Sequence, residues 1–216
     1  MGETEQLKTQ RIIRALLLYI ALWLAWSVLK PAVVNILPQG ALLTTIVYVL
    51  FEGVVWGLIP FLLLLKEKRL HELTKGKFPV FSCVILLCVC MAFLHTLRLL
   101  YGLQDTHVVF TSDMVVLSVA AGVIEEITFR GYFFTSIRKW LGFWLAAWIS
   151  SLMFLLYHFP ELITGQWRGL VSWRALLIFG MGIVFCWMTE KWKNLYLIIT
   201  VHTVWDLLSC LFCLAG

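Results

Sequence analysis

Residues 41–65 read ALLTTIVYVLFEGVVWGLIPFLLLL and contain a single charged side chain, Glu52. An α-helix crosses the hydrocarbon core of a bilayer with about 20 predominantly apolar residues. This stretch is long enough to do so, and we predict that it does. The whole chain has a similar character, since 62% of its residues are hydrophobic and 13% are charged, far from the composition of a soluble domain. Its eleven Trp are typical of rings that lie at membrane interfaces.

Further apolar stretches lie on both sides of this one. The predicted spans are residues 12–29, 41–65, 80–101, 113–137, 141–158, 172–189 and 195–214. We do not interpret the first span as a cleaved signal peptide, because no small-residue cleavage site follows it. The sequence therefore predicts an all-α fold. Residues 1–216 are expected to form a single integral membrane domain, a polytopic transmembrane bundle of about seven helices.

The basic residues predict how this bundle is oriented. With the N-terminus in the cytoplasm, twelve of the seventeen Lys and Arg residues fall in cytoplasmic segments. Because this agrees with the positive-inside rule, we predict a cytoplasmic N-terminus. The short length and the lack of organelle signals favour a prokaryotic plasma membrane as the location, with the endoplasmic reticulum as the alternative. The same asymmetry explains the net charge of +5, so nucleic acid is not an expected partner, whereas membrane lipid is. The oligomeric state is left open.

The densest group of charged residues inside a predicted span is residues 122–131, GVIEEITFRG. Ionisable side chains at membrane depth are costly unless paired, which makes each one a functional candidate. Glu126 and Arg130 are four residues apart and would form an ion pair on one helix face. Glu125 is turned by about 100° from Glu126 and has no such partner on its own helix. A structural ion pair is the alternative for Glu126 and Arg130, but it does not account for Glu125.

Two later spans carry histidines at a similar depth. Residues 154–158 read FLLYH and residues 202–206 read HTVWD, so each segment places its first and last side chains on one helix face. With a rise of about 1.5 Å per residue, these histidines and Glu125 lie between about 14 and about 28 Å along the helices from their basic ends. We therefore expect a catalytic core on helices 4, 5 and 7.

The ordered series Glu-Glu-x-x-x-Arg, Phe-x-x-x-His and His-x-x-x-Asp resembles the CAAX protease and bacteriocin-processing family (CPBP, also called Abi). The resemblance covers residues 113–216, whereas residues 1–112 are predicted helices without a motif. Members are similar to the endopeptidase that removes the tail of prenylated CAAX proteins and are regarded as glutamic intramembrane proteases. The resemblance implies an enzyme that hydrolyses a peptide bond of a membrane-associated or lipid-modified substrate with glutamate-activated water.

The resemblance also implies a role for each matching residue. Glu125 would be the general base, and His158 would help to hold the attacking water. Arg130 would orient the acid pair, with Glu126 supporting it, and His202 and Asp206 would stabilise the oxyanion. Asp206 stands where asparagine is common in the family. An ionised carboxylate cannot donate a hydrogen bond to an oxyanion. Asp206 is therefore expected either to be protonated or to orient His202.

Three more residues are candidates for the substrate path, namely Glu52, Phe129 and Phe154. For Glu52, pairing with a buried donor is the alternative. No cofactor is expected. Zinc held by Glu125, His158 and His202 is the less favoured alternative, because the chain has no His-Glu-x-x-His motif.

Two other classes of function stay open. A non-proteolytic relative, either a bacteriocin self-immunity protein or a regulator of a membrane sensor protein, would keep its function without Glu125. A transporter with a buried proton relay would be expected to show inverted repeats or paired broken helices, and the sequence has neither. The sequence does not define the substrate, and a prenylated tail is one possibility.

Overall fold

The computed structural model describes residues 3–37, 42–100 and 111–211, and helices dominate it. Within these residues there are seven helices longer than two turns and no β-strand. They are α1 (Glu3–Ile36), α2 (Leu42–Lys66), α3 (Val80–Leu100), α4 (112–138), α5 (Phe143–Tyr157), α6 (Trp173–Trp192) and α7 (Leu195–Leu211). The prediction of an all-α helical bundle is confirmed.

Four of the described helices contain stretches long and apolar enough to cross a membrane. These are Thr9–Ile36, Leu42–Lys66, Val80–Leu97 and Trp173–Trp192. Two shorter apolar helices, Phe143–Tyr157 and Leu195–Ser209, lie in α5 and α7. Helix α4 is as long as the spanning helices but carries Glu125, Glu126 and Arg130 in its middle. The chain is therefore an integral membrane protein, and α4 carries three charged side chains close together in its middle.

The first helix is longer than the sequence predicted. It continues beyond residue 29 to Ile36 and passes through Pro31. Lys30 consequently lies on the helix, with its ammonium group 5.0 Å from the ring centre of Trp26. The predicted ends of the other spans agree with the helices within a few residues, except that residues 41, 101 and 212–214 lie outside the described part of the chain.

Aromatic rings form the core between α1, α2, α4 and α5. Trp26 is fully buried and stacks on Phe51 and on Tyr157, with both pairs of ring centres 5.7 Å apart. Trp56 is also buried and meets Tyr157 edge-on at 5.0 Å. Trp26 and Trp56 therefore fill the centre of the bundle, and their depth in the membrane is not tested by this packing.

Helix α1 holds the end of α5 through two side chains. The Tyr19 hydroxyl donates to the carbonyl oxygen of Met153 at 2.7 Å, and Trp23 Nε1 donates to that of Leu156 at 2.8 Å. The last carbonyls of a helix have no partner within the helix and need such donors when they are buried. These bonds fix where α5 ends, directly before His158.

The turns at one end of the bundle bind one another. The backbone N–H of Leu195 donates to Leu73 O at 2.7 Å, and Asn194 Nδ2 donates to Gly76 O at 2.9 Å. Arg138, at the end of α4, pairs with Glu190 of α6 at 2.9 Å. We call this end, formed by residues 66–79, 138–142 and 190–194, the basic end.

Helices α4 and α7 approach closely because residue 122 is glycine. A Cβ atom added to Gly122 would clash with the Thr203 side chain and would lie 3.0 Å from the Ile199 carbonyl oxygen. Backbone atoms cannot move aside as a flexible side chain can. The α4–α7 spacing thus depends on Gly122, one turn before the glutamates.

We expect Gly122→Ala to lower the free energy of unfolding by about 1–2 kcal/mol, because overpacking outweighs the gain in helix propensity. Thermal unfolding in detergent would measure this loss. Gly180→Ala in α6 is the matched control, since nothing lies within 4 Å of its added Cβ. An unchanged unfolding midpoint for Gly122→Ala would contradict the close packing of α4 on α7.

Candidate active site

The structure brings the six predicted catalytic residues together where α4, α5 and α7 meet. Glu125, Glu126 and Arg130 come from α4, His158 follows the last residue of α5, and His202 and Asp206 lie on α7. The backbone of α4 changes from α-helical to π-helical geometry at Glu126 and stays so to Phe134. Such π-helical segments occur frequently at functional sites.

Glu126 is the centre of a buried ion pair. Its Oε1 atom accepts a hydrogen bond from Arg130 Nη1 at 2.8 Å and another from His202 Nδ1 at 2.7 Å. Both Glu126 and Arg130 have no exposed surface. Because a carboxylate only accepts hydrogen bonds, the proton in the second bond belongs to His202 Nδ1. Glu126 therefore joins α4 to α7 and sets the orientation of the His202 ring.

Arg130 is enclosed by aromatic rings. The guanidinium carbon lies 4.1 Å from the ring centre of Phe154 and 5.1 Å from that of Phe185. A cation over the face of an aromatic ring is attracted by the ring quadrupole. The packing of these rings thus holds Arg130 against Glu126. Phe154, a candidate for the substrate path, supports both Arg130 and the ring of His158, whose centre is 4.7 Å away.

Glu125 is buried and differs from Glu126 in its contacts. Its Oε2 atom makes no hydrogen bond with the described residues. His202 Nε2 lies 3.7 Å from this atom and His158 Nε2 lies 4.0 Å from it. These distances are too long for direct hydrogen bonds and short enough for one water molecule to contact all three groups. The two adjacent glutamates are consequently in different environments. Glu126 is paired with Arg130, whereas Glu125 Oε2 has no hydrogen-bond partner among the described residues.

His158 owes its orientation to the end of α5. Its backbone N–H donates to Leu155 O at 3.0 Å, and its ring Nδ1 lies 2.9 Å from the carbonyl oxygen of Phe154. Since a carbonyl only accepts, Nδ1 carries the proton. A neutral His158 ring therefore turns the lone pair of Nε2 toward Glu125.

Asp206 faces His202 and is the most exposed member of the cluster. Its Oδ2 atom lies 3.5 Å from His202 Nε2, and 29% of its side chain is exposed. His202 therefore has Glu126 at one ring nitrogen and Asp206 and Glu125 near the other. This geometry fits the expectation that Asp206 orients His202.

The remaining substrate-path candidates lie in the core beside the cluster. Glu52 is buried and accepts a hydrogen bond from the hydroxyl of Tyr157, the residue before His158. This is the pairing with a buried donor that was the alternative for Glu52. Phe129 has no exposed surface and packs against Phe154, with ring centres 5.2 Å apart. A substrate-path role for either residue stays a prediction.

Two further residues contribute to the site without any sequence signal. Phe185 of α6 lies against Arg130, and its ring centre is 5.4 Å from that of His202. Tyr157 binds Glu52 and meets the His158 ring edge-on at 5.1 Å. An aromatic residue in an apolar helix is ordinary, so only the packing reveals these roles.

In the described part of the chain, no group of three His, Cys, Asp or Glu side chains is arranged to hold a metal ion. The alternative of zinc at Glu125, His158 and His202 stays a prediction that a chelator can test.

Comparison with known families matches residues 107–208 to Rce1-like proteins, described as type II CAAX prenyl endopeptidases. This range contains every residue of the cluster described above. Searches among curated proteins and among solved structures gave no match. The resemblance stated from the motifs is confirmed. Residues 107–208, just under half of the chain, are therefore similar to the Rce1-like type II CAAX prenyl endopeptidases.

Proposed function

We propose that this protein is a glutamic intramembrane endopeptidase. It hydrolyses a peptide bond of a membrane-associated or lipid-modified peptide or protein, with water activated by Glu125. The observation that carries the proposal is the buried Glu125 Oε2 atom, which faces the Nε2 atoms of His202 and His158 at 3.7 and 4.0 Å without a hydrogen-bond partner among the described residues. The match of residues 107–208 to the Rce1-like endopeptidases supports a protease-type function in the membrane.

Glu125 and His158 act together on the attacking water. Glu125 Oε2 and His158 Nε2 each accept one hydrogen bond from the water, which leaves an oxygen lone pair directed at the substrate carbonyl. Glu125 takes one proton as the carbon–oxygen bond forms, and the carbonyl π electrons move to oxygen. The proton then passes to the leaving amine as the carbon–nitrogen bond breaks. A correctly placed general base of this kind contributes typically about 10²–10⁴-fold to the rate.

His202 stabilises the oxyanion of the tetrahedral intermediate. Its Nδ1–H is held by Glu126, which Arg130 holds in turn, so the ring presents Nε2 in a fixed direction. In the doubly protonated ring, Nε2–H donates to the developing negative oxygen. A water-poor cavity strengthens this interaction, because the preorganised donor does not compete with solvent.

Asp206 is proposed to keep His202 in this orientation. Asp206→Asn should then retain cleavage within about threefold, since an amide oxygen can also face Nε2–H until the oxyanion forms and takes over that hydrogen bond. Asp206→Ala should lose about 10–100-fold, as for other supporting hydrogen-bond partners. Initial rates of peptide cleavage by both variants measure the difference. Equal losses in the two variants would show instead that the carboxyl group itself is required.

We also propose that the membrane is a prokaryotic plasma membrane, with the N-terminus and the basic end in the cytoplasm. The orientation is supported by the meeting of the turns that carry most of the basic residues at one end of the bundle, as the positive-inside rule requires.

The function is tested with the purified protein in nanodiscs and a panel of fluorescence-quenched peptides, each with and without a farnesyl group. We expect wild-type cleavage that is insensitive to a chelator, and the preferred peptides define the substrate class. Chelator-sensitive cleavage would assign a metal-dependent mechanism. Absence of cleavage, together with a cellular role that survives Glu125→Gln, would replace the proposal with a non-proteolytic function.

A further inference from the structure

A polar cavity lies at the basic end, and its lining does not include Glu125 or Glu126. It has a volume of about 180 Å³, and its charged lining residues are Arg11, Arg14, Glu67, Arg69 and Lys139. Helix α1 contributes two of these cations, the segment after α2 contributes one, and the end of α4 contributes one. Four cations and one carboxylate therefore surround the same small space.

Arg69 is a fixed part of the cavity wall. Its Nη1 atom donates to Ser136 Oγ at 2.8 Å and to Glu67 Oε2 at 2.9 Å. Its Nη2 atom donates to the carbonyl oxygens of Gly131 and Tyr132 at 3.4 and 3.3 Å. These contacts use the N–H donors of both Nη atoms of Arg69, and the ion pair neutralises the charge of Glu67. They also tie the segment after α2 to α4.

Among the described residues, no carboxylate forms an ion pair with the other three cations. Arg11, Arg14 and Lys139 are exposed and form no ion pair with the residues that the structure describes. Like charges around one cavity repel each other, and an anion placed between them removes that repulsion. Guanidinium groups match the oxygen atoms of a phosphate with two parallel hydrogen bonds. The cavity is consequently suited to a phosphate group.

The position of the cavity indicates where such a phosphate comes from. Arg11 and Arg14 lie in the first turns of the span Thr9–Ile36, and Glu67 directly follows the span Leu42–Lys66. Tyr132 and Trp140 also line the cavity, and such aromatic residues are enriched at headgroup depth. Basic clusters directly beside a membrane span attract anionic lipid headgroups.

We propose that this cavity binds the phosphate group of an anionic phospholipid. Arg11, Arg14 and Lys139 are the donors, and Arg69 forms the fixed wall. A phosphate bound there connects α1 with the end of α4 and so stabilises the bundle that holds the active-site helix. This proposal does not depend on the proposed peptidase function.

Thermal unfolding of the full chain in mild detergent tests the site. Added phosphatidylglycerol is expected to raise the unfolding midpoint of the wild type, and phosphatidylcholine is not. The double variant Arg11→Gln/Arg14→Gln should need at least about tenfold more phosphatidylglycerol for the same shift, because each basic residue contributes appreciably to anionic-lipid binding. Without lipid its midpoint should match the wild type, since both arginines are exposed.

Lys75→Gln/Lys77→Gln is the matched control, because it removes two exposed charges from the basic end outside the cavity. It should respond to phosphatidylglycerol like the wild type. An equal loss of response in both double variants would overturn the site in favour of diffuse attraction. A shift with inorganic phosphate as large as that with phosphatidylglycerol at the same concentration would overturn the lipid as its source.

Discussion

Glu125→Gln is expected to lower peptide cleavage about 10³-fold without unfolding the protein. The amide has nearly the size of the carboxylate and fills the same buried space. It cannot take a proton from water, so the attacking nucleophile is no longer generated. The cleavage rate on the best peptide of the panel and the thermal midpoint of the same preparation are the two measurements.

Glu72→Gln is the control for this substitution, because Glu72 is exposed in the loop at the basic end. The same chemical change there should leave cleavage unaltered. A correctly folded Glu125→Gln protein that cleaves at the wild-type rate would exclude Glu125 as the general base. The proposed mechanism would then be wrong, although the similarity of residues 107–208 to the Rce1-like family would stand.

Arg130→Met is expected to lower the free energy of unfolding by about 3–5 kcal/mol. The substitution leaves the Glu126 carboxylate buried with His202 as its remaining hydrogen-bond partner, and a buried charge without compensation is strongly destabilising. Cleavage should fall as well, because Glu126 then no longer holds the His202 ring firmly. Denaturant titration in detergent measures the loss of stability.

Arg138→Met provides a comparison on the same helix. Its ion pair with Glu190 has a length of 2.9 Å but is about one-third exposed, so its loss should cost less than about 1 kcal/mol. The double variant Glu126→Gln/Arg130→Met should be more stable than Arg130→Met, because it removes the charge that was left unpaired. If the double variant is no more stable, loss of packing between Phe154 and Phe185 causes the destabilisation instead.

The helices could be predicted from the sequence because hydrophobicity over about 20 residues is a local property. The spans predicted at 41–65 and 172–189 correspond to Leu42–Lys66 and Trp173–Trp192. The Glu126–Arg130 pair could be expected for the same reason, since residues four apart on a helix are neighbours. The order of the motifs along the chain was enough to predict the family.

The contacts between helices could not be predicted in this way. Nothing local to α7 indicates that His202 binds Glu126, because that contact depends on how closely α4 and α7 approach at Gly122. The π-helical turns of α4 from Glu126 to Phe134 also change the direction of each side chain from that expected for a regular α-helix.

The sequence by itself determined that this chain is a helical membrane protein with two adjacent glutamates in a membrane helix, and that its second half resembles a known peptidase family. Only the tertiary structure decided that Glu126 also binds His202, which ring nitrogens face Glu125, and that Phe185 encloses Arg130. The physical reason is that periodicity governs neighbours within one helix. Side chains on different helices become neighbours only through packing, which depends on the shapes of many residues at once.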